Sequence, residues 1–250
     1  MASLYGQPAV YDLLFFGWTA DLAHYAALAN AAGPRSPILE CAVGSGRVAL
    51  HLARAGHRVH GVDLDPAMLE ALAARAAEEP PEVRERLSWA VADLRALATG
   101  KRYGLVLAPF NAIAHLHDEG DLDAFFQAVR AELLPSGRFA FDVWRPEPST
   151  LRGRVTDSPR FRDPRTNEPA RCTETTRLDE ATGLLHVTLA LHGLDDEPPE
   201  ELSIALRIRD EAALRAALER NGLLPEDVID LGEMQGWVCR SGDHFTPPHL

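Results

Sequence analysis

Through the first 145 residues, short apolar runs alternate with longer segments of helical character. Ile38–Ala42, Arg58–Asp63, Leu87–Val91, Tyr103–Pro109 and Arg138–Trp144 read as five strands. The helical segments between them are punctuated by Gly and Pro. The Ala- and Leu-rich stretch Trp18–Ala32 is stopped by Gly33-Pro34, and a helix opened at Gly44 is closed by Gly56. Pro66–Glu79 has Pro66 near its first turn and Pro80-Pro81 beyond its end, and Asp121–Leu134 stops at Pro135-Ser136-Gly137. Strands alternating with helices predict an α/β fold whose mainly parallel sheet carries helices on both faces.

The pattern changes after Arg145. Residues 145–170, dense in Pro, Arg and Asp, read as an irregular excursion. Arg171–Leu178, Leu184–Leu191 and Glu201–Arg209 then read as consecutive strands, with Asp179–Gly183 as the turn between the first two. Strands without intervening helices imply an antiparallel sheet inserted after the fifth strand. Asp210–Asn221 reads as a helix and Val228–Leu231 as a short strand. Gly232–Leu250 is poorly patterned, with Trp237–Arg240 its one strand candidate and Phe245 a candidate docking residue for a partner subunit. The expected organisation is a helical lid segment (1–34), a ligand-binding core (35–145), an antiparallel insertion serving as a substrate lid (146–209), and a helix, strand and tail completing the core (210–250).

Composition narrows the class. No apolar run approaches the roughly 20 residues of a membrane helix, and the N-terminus lacks the basic flank of a signal peptide. A membrane is therefore not an expected partner. A formal net charge of −12 repels phosphate backbones, which argues against nucleic acid. Cys41, Cys172 and Cys239 are odd in number and far apart, so they suit a reducing, cytoplasmic environment.

The chemistry concentrates at two places. In LECAVGSGRVAL (39–50), a strand ending in Glu40 runs into a turn of small residues and then a helix. Such a turn lets a ligand approach the backbone, and the N–H groups at the helix start can bind its polar part. In GVDLDPAML (61–69), Asp63 ends the second strand about 20 residues beyond the glycine turn, where a carboxylate accepts hydrogen bonds from ribose hydroxyls. Asp65 is the better cap for the helix at Pro66. Gly44-x-Gly46-x-x-Ala49 also satisfies the loose dinucleotide fingerprint, so an NAD(P)-dependent oxidoreductase stays open at this point. So does a non-catalytic nucleotide-binding module.

Three further segments separate these readings: AVADLRAL (90–97), with Asp93 just after the third strand; LVLAPFNAIAHL (105–116); and LLPSGRFAFDVW (133–144). In this order and spacing the five segments resemble class I S-adenosylmethionine-dependent methyltransferases, over roughly residues 5–145. The subgroup is similar to amino-sugar N-methyltransferases and glycine/sarcosine-type enzymes. The resemblance implies a Rossmann-like fold, S-adenosyl-L-methionine as cofactor with S-adenosyl-L-homocysteine as product, and a small-molecule acceptor methylated on N or O. It implies Glu40 near the methionine amino group; Ala42, Gly44 and Gly46 beneath the cofactor; Asp63 on the ribose; Leu64 and Met68 on the adenine; Asp93 and Leu94 at its amino edge; and Ala108 facing the reacting methyl. Ala42 replaces the usual first glycine, and Asp65 the usual Ser. Enzymes of this class end with a two-strand hairpin whose last strand is clearly apolar, which this tail does not show.

Methyl transfer from a sulfonium is an in-line displacement that needs alignment, exclusion of water and, for a weakly acidic nucleophile, a base. His115, seven residues past Ala108, is a candidate base, its alternative being a surface histidine. Tyr11, in YDLLFFGW, resembles a residue that closes over the cofactor, its alternative being a packing residue. Arg47 is a candidate for the cofactor's carboxylate or an exposed residue at the helix start. The arginines of 152–171 either meet an anionic substrate or belong to a solvated loop. No metal site is expected, and the chain is read as a monomer or homodimer.

Overall fold

The computed structural model describes residues 2–151, 153–158, 160–193 and 198–242. Phe245 and Arg152 lie outside them. The chain forms two compact units, one from Met1–Trp18 and Arg145–Ile208, the other from Thr19–Trp144 and Arg209–Leu250.

The larger unit contains, in chain order, α1 (Leu22–Ala32), β1 (Ile38–Cys41), α2 (Arg47–Arg54), β2 (Val59–Asp63), α3 (Pro66–Glu78), α4 (Pro81–Arg84), β3 (Leu87–Val91), β4 (Tyr103–Ala108), α5 (Glu119–Glu132), β5 (Leu133–Trp144), α6 (Glu211–Arg220), β6 (Leu223–Leu231) and β7 (Met234–Ser241). One seven-stranded sheet has the order β6-β7-β5-β4-β1-β2-β3. β1 to β5 are parallel, and β7 runs antiparallel between β5 and β6. This is the mainly parallel, Rossmann-like sheet that the alternating pattern predicts.

Residue parity puts helices on both faces. On one face Leu39, Cys41, Val106, Phe139, Phe141, Trp237 and Cys239 join Phe125, Phe126 and Val129 of α5 and Leu214 and Leu218 of α6 in one buried cluster. Phe139 and Phe141 stack at 5.0 Å between centroids, and Trp237 lies parallel to Phe141 at 5.9 Å. The next residue along β5, Asp142, points the other way and receives Tyr25 of α1.

The tail departs from its sequence reading. β7 is a full strand, with Trp237 opposite Phe141 and Cys239 opposite Phe139. The closing hairpin is therefore present. Its apolar positions are few, but Trp237 and Cys239 are fully buried, and a buried aromatic supplies much of the burial energy of a strand. β6 begins at Leu223 rather than Val228, an irregularity at Pro225/Asp227 masking its alternation. β5 likewise begins at Leu133, with the Pro135-Ser136-Gly137 turn absorbed as a register shift. α1 starts at Leu22, not Trp18, and α2 at Arg47, not Gly44.

In the smaller unit the three sequence-read strands span Pro169–Asp179, Leu184–His192 and Glu200–Arg207, paired antiparallel. Residues 145–170 are not wholly irregular: Pro148–Leu151 is a helical turn, and Val155–Asp157 and Phe161–Arg162 each pair with Pro169–Asp179. Ala2–Ser3 adds a parallel edge to Glu200–Arg207. Helix Pro8–Phe15 contributes Val10 to a buried cluster with Leu4, Cys172, Leu189, Leu191 and Leu202. Arg165 bonds Asp163 and Glu200, Arg171 bonds Asp157, and Arg162 bonds the Asn167 carbonyl, so these arginines are engaged within their own unit.

Candidate active site

The carboxyl ends of β1 to β4 carry eleven of the sequence-selected residues, all in the larger unit. The turn after β1 needs left-handed backbone three times: Ala42 has φ 54°, Gly44 φ 55° and Gly46 φ 90°. Glycine adopts this freely, whereas Ala42 carries a strain of roughly 1–2 kcal/mol. A Cβ on Gly46 would collide with Leu72 of α3, and one on Gly44 would sit 3.4 Å from Met68 Cε. The turn is thus pressed closely onto α3.

Asp63, at the end of neighbouring β2, fastens this turn. Its Oδ2 accepts the Gly44 N–H at 2.7 Å and its Oδ1 the Asp65 N–H at 2.9 Å. Each carboxylate oxygen has two acceptor positions, so capacity for ribose hydroxyls remains. Burial raises the Asp63 pKa, opposed by these N–H bonds. Asp65 caps α3 by accepting the Ala67 N–H at 2.8 Å, the task the sequence assigned to it. Leu64 is 60% exposed, an apolar side chain left open at the strand tip, while Met68 is buried.

The turn after β4 solves the same backbone problem without glycine. Phe110 and Asn111 have φ 56° and 62°. Both of their N–H groups donate to the Asp142 carboxylate, Phe110 to Oδ2 at 3.0 Å and Asn111 to Oδ1 at 2.9 Å. The Tyr25 hydroxyl donates to Oδ2 at 2.5 Å, and Asn111 Oδ1 accepts the Trp144 N–H at 3.1 Å. Asp142 and Tyr25 are completely buried. Desolvation lifts the Asp142 pKa to about 6 despite its three donors.

A buried charged cluster lies behind these turns. Arg47, the first residue of α2, forms a two-pronged ion pair with Asp21, both contacts 2.6 Å, and its guanidinium lies 5.2 Å from the centre of the Phe110 ring. Asp21 precedes α1 but spends its side chain on Arg47 rather than on capping. Glu40 is also buried, and its Oε2 has no hydrogen-bond partner among the described residues. Desolvation pushes its pKa up to about 8; Arg47 opposes this, while Asp21 and Asp63 reinforce it. A buried carboxyl with a bare oxygen is costly and suits a site completed by a cationic group.

The remaining selected residues are placed as follows. Asp93 accepts the Arg95 N–H at 2.9 Å, capping a short 3-10 turn, Leu94–Ala96, and also pairs with the Arg95 guanidinium. Leu94 packs against the main core and Ala108 is fully buried at the end of β4. His115 ends the 3-10 turn Ala112–His115. The residue is exposed, and desolvation, with His117 adding, lowers its pKa to about 4. The imidazole is therefore neutral near pH 7 and, in the ligand-free protein, a weak base. Tyr11 belongs to the smaller unit, where its ring lies 5.6 Å from Tyr5 and 5.2 Å from Phe15.

Asp21, Tyr25 and Asp142 were not singled out by sequence reasoning, and Phe110 and Asn111 only as part of the Pro-Phe-Asn turn that follows the fourth strand. The one local signal was the acid in FAFDVW, a charge inside an otherwise apolar strand.

Comparison with known proteins bears on this arrangement. Residues 38–137 match the model of a methyltransferase domain. A dTDP-3-amino-3,6-dideoxy-alpha-D-glucopyranose N,N-dimethyltransferase of Streptomyces fradiae is 31% identical over 140 residues, covering 54% of this chain and 52% of that protein. The chain spans about half or less of the length of the curated relatives it matches. Among solved structures, the CcbJ methyltransferase from Streptomyces caelestis aligns with a TM-score of 0.80 at 23% identity, covering 96% of this chain and 98% of that one. CalS10 from Micromonospora echinaspora, an amino pentose methyltransferase with S-adenosylmethionine bound, aligns with a TM-score of 0.72 at 20% identity, covering 92% and 95%. These structures share the fold. Residues 38–137, the stretch that matches the methyltransferase-domain model, hold the strand-tip turns described above.

Proposed function

We propose that the protein transfers a methyl group from S-adenosyl-L-methionine to nitrogen or oxygen of a small-molecule acceptor. One observation carries this reading: the buried Glu40 carboxyl, with its bare Oε2, sits behind a left-handed glycine turn fastened by Asp63. That set suits a ligand with a cationic end and a sugar. When bound, the cofactor supplies a methyl on a positively charged sulfur, already an excellent leaving group. In this reading Glu40 holds the methionine ammonium, Asp63 the ribose hydroxyls, and Leu64 and Met68 flank the adenine. Asp93 and Leu94 meet its edge. Ala42, Gly44, Gly46 and Ala108 line the approach, and the Arg47–Asp21 pair sets the end of the methionine part.

His115 is the proposed base on its place just past β4. It is neutral near pH 7, and because desolvation leaves it a weak base, the role requires a bound acceptor to raise its pKa toward neutrality. Tyr11 enters the proposal on the sequence resemblance alone. The S. fradiae and M. echinaspora relatives, named for amino-sugar and amino-pentose substrates, favour nitrogen as the acceptor atom. No helix among the described residues is long and apolar enough to cross a membrane. A cytoplasmic home is part of the proposal, supported by three free, buried cysteines.

Titration calorimetry with S-adenosylhomocysteine and with NAD tests the reading. Binding of the first and not the second is expected. Preference for NAD would replace methyl transfer by a nicotinamide reaction, and binding of neither would reduce the domain to a scaffold.

A further inference from the structure

The turn after β4 raises a question that the cofactor reading leaves open. Two consecutive non-glycine residues, Phe110 and Asn111, stand in the left-handed region. Such a pair persists only where its surroundings over-determine it. Asn111 is held partly by the Trp144 N–H on its Oδ1 and the Ala114 N–H on its carbonyl, but both backbone N–H groups of the pair converge on one side chain. Asp142 takes one N–H on each oxygen, and the Tyr25 hydroxyl completes the set. The contacts then form a ring. Tyr25 stands on α1, which Asp21 precedes; Asp21 grips Arg47; Arg47 lies against the Phe110 ring; and Phe110 is tied back to Asp142. Its members come from α1, the start of α2, the β4 turn and β5, all within the larger unit.

We propose that Asp142 and Tyr25 are positioning residues: together they hold the Phe110–Asn111 turn in its left-handed form, and through Phe110 they set where Arg47 stands at the methionine end of the cofactor site. The proposal rests on the methyltransferase reading for its second half only. Holding the turn is a property of the ligand-free protein.

The physical reason a carboxylate is used follows from the donors. Two adjacent N–H groups pointing the same way need two acceptor oxygens at a fixed spacing, which ionised Asp provides and Asn does not. Burial makes that ionised form costly, so the Tyr25 hydroxyl matters: it is the side-chain donor holding the charge in place. The charged and titratable groups facing Asp142 are Tyr25 and Asp21 from the α1 segment and Arg47 from α2. Asp21 opposes ionisation of Asp142, and Arg47 favours it.

The test compares wild type with Tyr25→Phe, which keeps the ring and removes only the hydroxyl, and with Asp142→Asn. Hydrogen exchange at the Phe110 and Asn111 amides is followed by nuclear magnetic resonance, without any cofactor. In Tyr25→Phe these two amides are expected to exchange about tenfold faster while those of α5 and β7 stay unchanged. The pH at which their chemical shifts titrate should move upward by roughly one unit, because the ionised carboxylate has lost a donor. Asp142→Asn should abolish that titration. S-adenosylhomocysteine should bind both variants about tenfold more weakly. Unchanged exchange and an unmoved titration would overturn the proposal, and so would acceleration spread evenly over the whole sheet, which would make Tyr25 a packing residue. Failure of the wild type to bind S-adenosylhomocysteine would sink the methyltransferase reading, while the amide measurements would still judge the turn.

Discussion

Two neighbouring turns face the same problem in this protein and solve it differently. Both follow a parallel strand, both need left-handed backbone, and both are fastened by a carboxylate at the tip of the next strand. After β1 the conformation is obtained with Gly44 and Gly46, and Asp63 of β2 ties down a single N–H of the turn. After β4 the residues are Phe110 and Asn111, and Asp142 of β5 must hold two. The first carboxylate keeps acceptor capacity and lies at the edge of the site. The second accepts three donors and is fully buried. Glycine therefore frees a carboxylate for a ligand, whereas side chains at left-handed positions commit one to structure.

The contrast breaks hardest at Asp142. Asp142→Ala strands two backbone N–H groups and a tyrosine hydroxyl, and is expected to cost roughly 3–5 kcal/mol of stability, read by denaturant unfolding. A loss below about 1 kcal/mol would mean that the β4 turn is held by something else. Gly46→Ala comes next. It adds a Cβ against Leu72 at φ 90°, for an expected cost of about 2–4 kcal/mol; calorimetric melting would show it. Asp63→Ala is expected to weaken S-adenosylhomocysteine binding by about 1–3 kcal/mol, and an unchanged dissociation constant would contradict the ribose role.

A pH slope tests the same contrast without a ligand. Glu40 has a folded pKa of about 8 against an ordinary 4.5. Below 4.5 it is protonated whether the chain is folded or not. As pH rises from 4.5 to about 8, only the unfolded chain ionises freely, so the ligand-free protein loses stability across that window. Asp142 adds a loss of the same sign between 3.8 and about 6. Glu40→Gln should flatten the upper part of the curve, measured by melting between pH 5 and 8. A bound cationic ligand should oppose the slope in wild type and not in the variant.

Both turns were legible in the sequence as turns, the second as the Pro-Phe-Asn step after the fourth strand, but only the first was legible together with the carboxylate that fastens it, for a physical reason. Gly44 and Asp63 are 19 residues apart in a repeating strand–helix–strand unit, so their contact follows from local spacing. Asp142 meets Phe110 across 32 residues and Tyr25 across 117, and no periodicity announces a pairing at that distance. The parallel sheet was legible because its strands are short, apolar and cleanly punctuated. β7 was legible only in part, as Trp237–Arg240, since its buried apolar residues Met234, Trp237, Val238 and Cys239 are interrupted by Gln235 and Gly236 and show no clean alternation. Arg47 was noticed as a cation near the helix start, but its partner Asp21 lies 26 residues away and no local pattern links the two.

The junctions of the larger unit have a consequence of their own. The chain leaves it at Trp144, whose N–H is bonded to Asn111, and re-enters at Arg209, which bonds the Leu116 carbonyl and Glu119. Departure and return are moored to one short stretch of chain just past the fourth strand. Whatever lies between those moorings can lengthen, shorten or be exchanged while the sheet keeps its registration. The larger unit is thus built to accept interchangeable attachments, and what is inserted there can change in length or content without retuning the strand-tip turns.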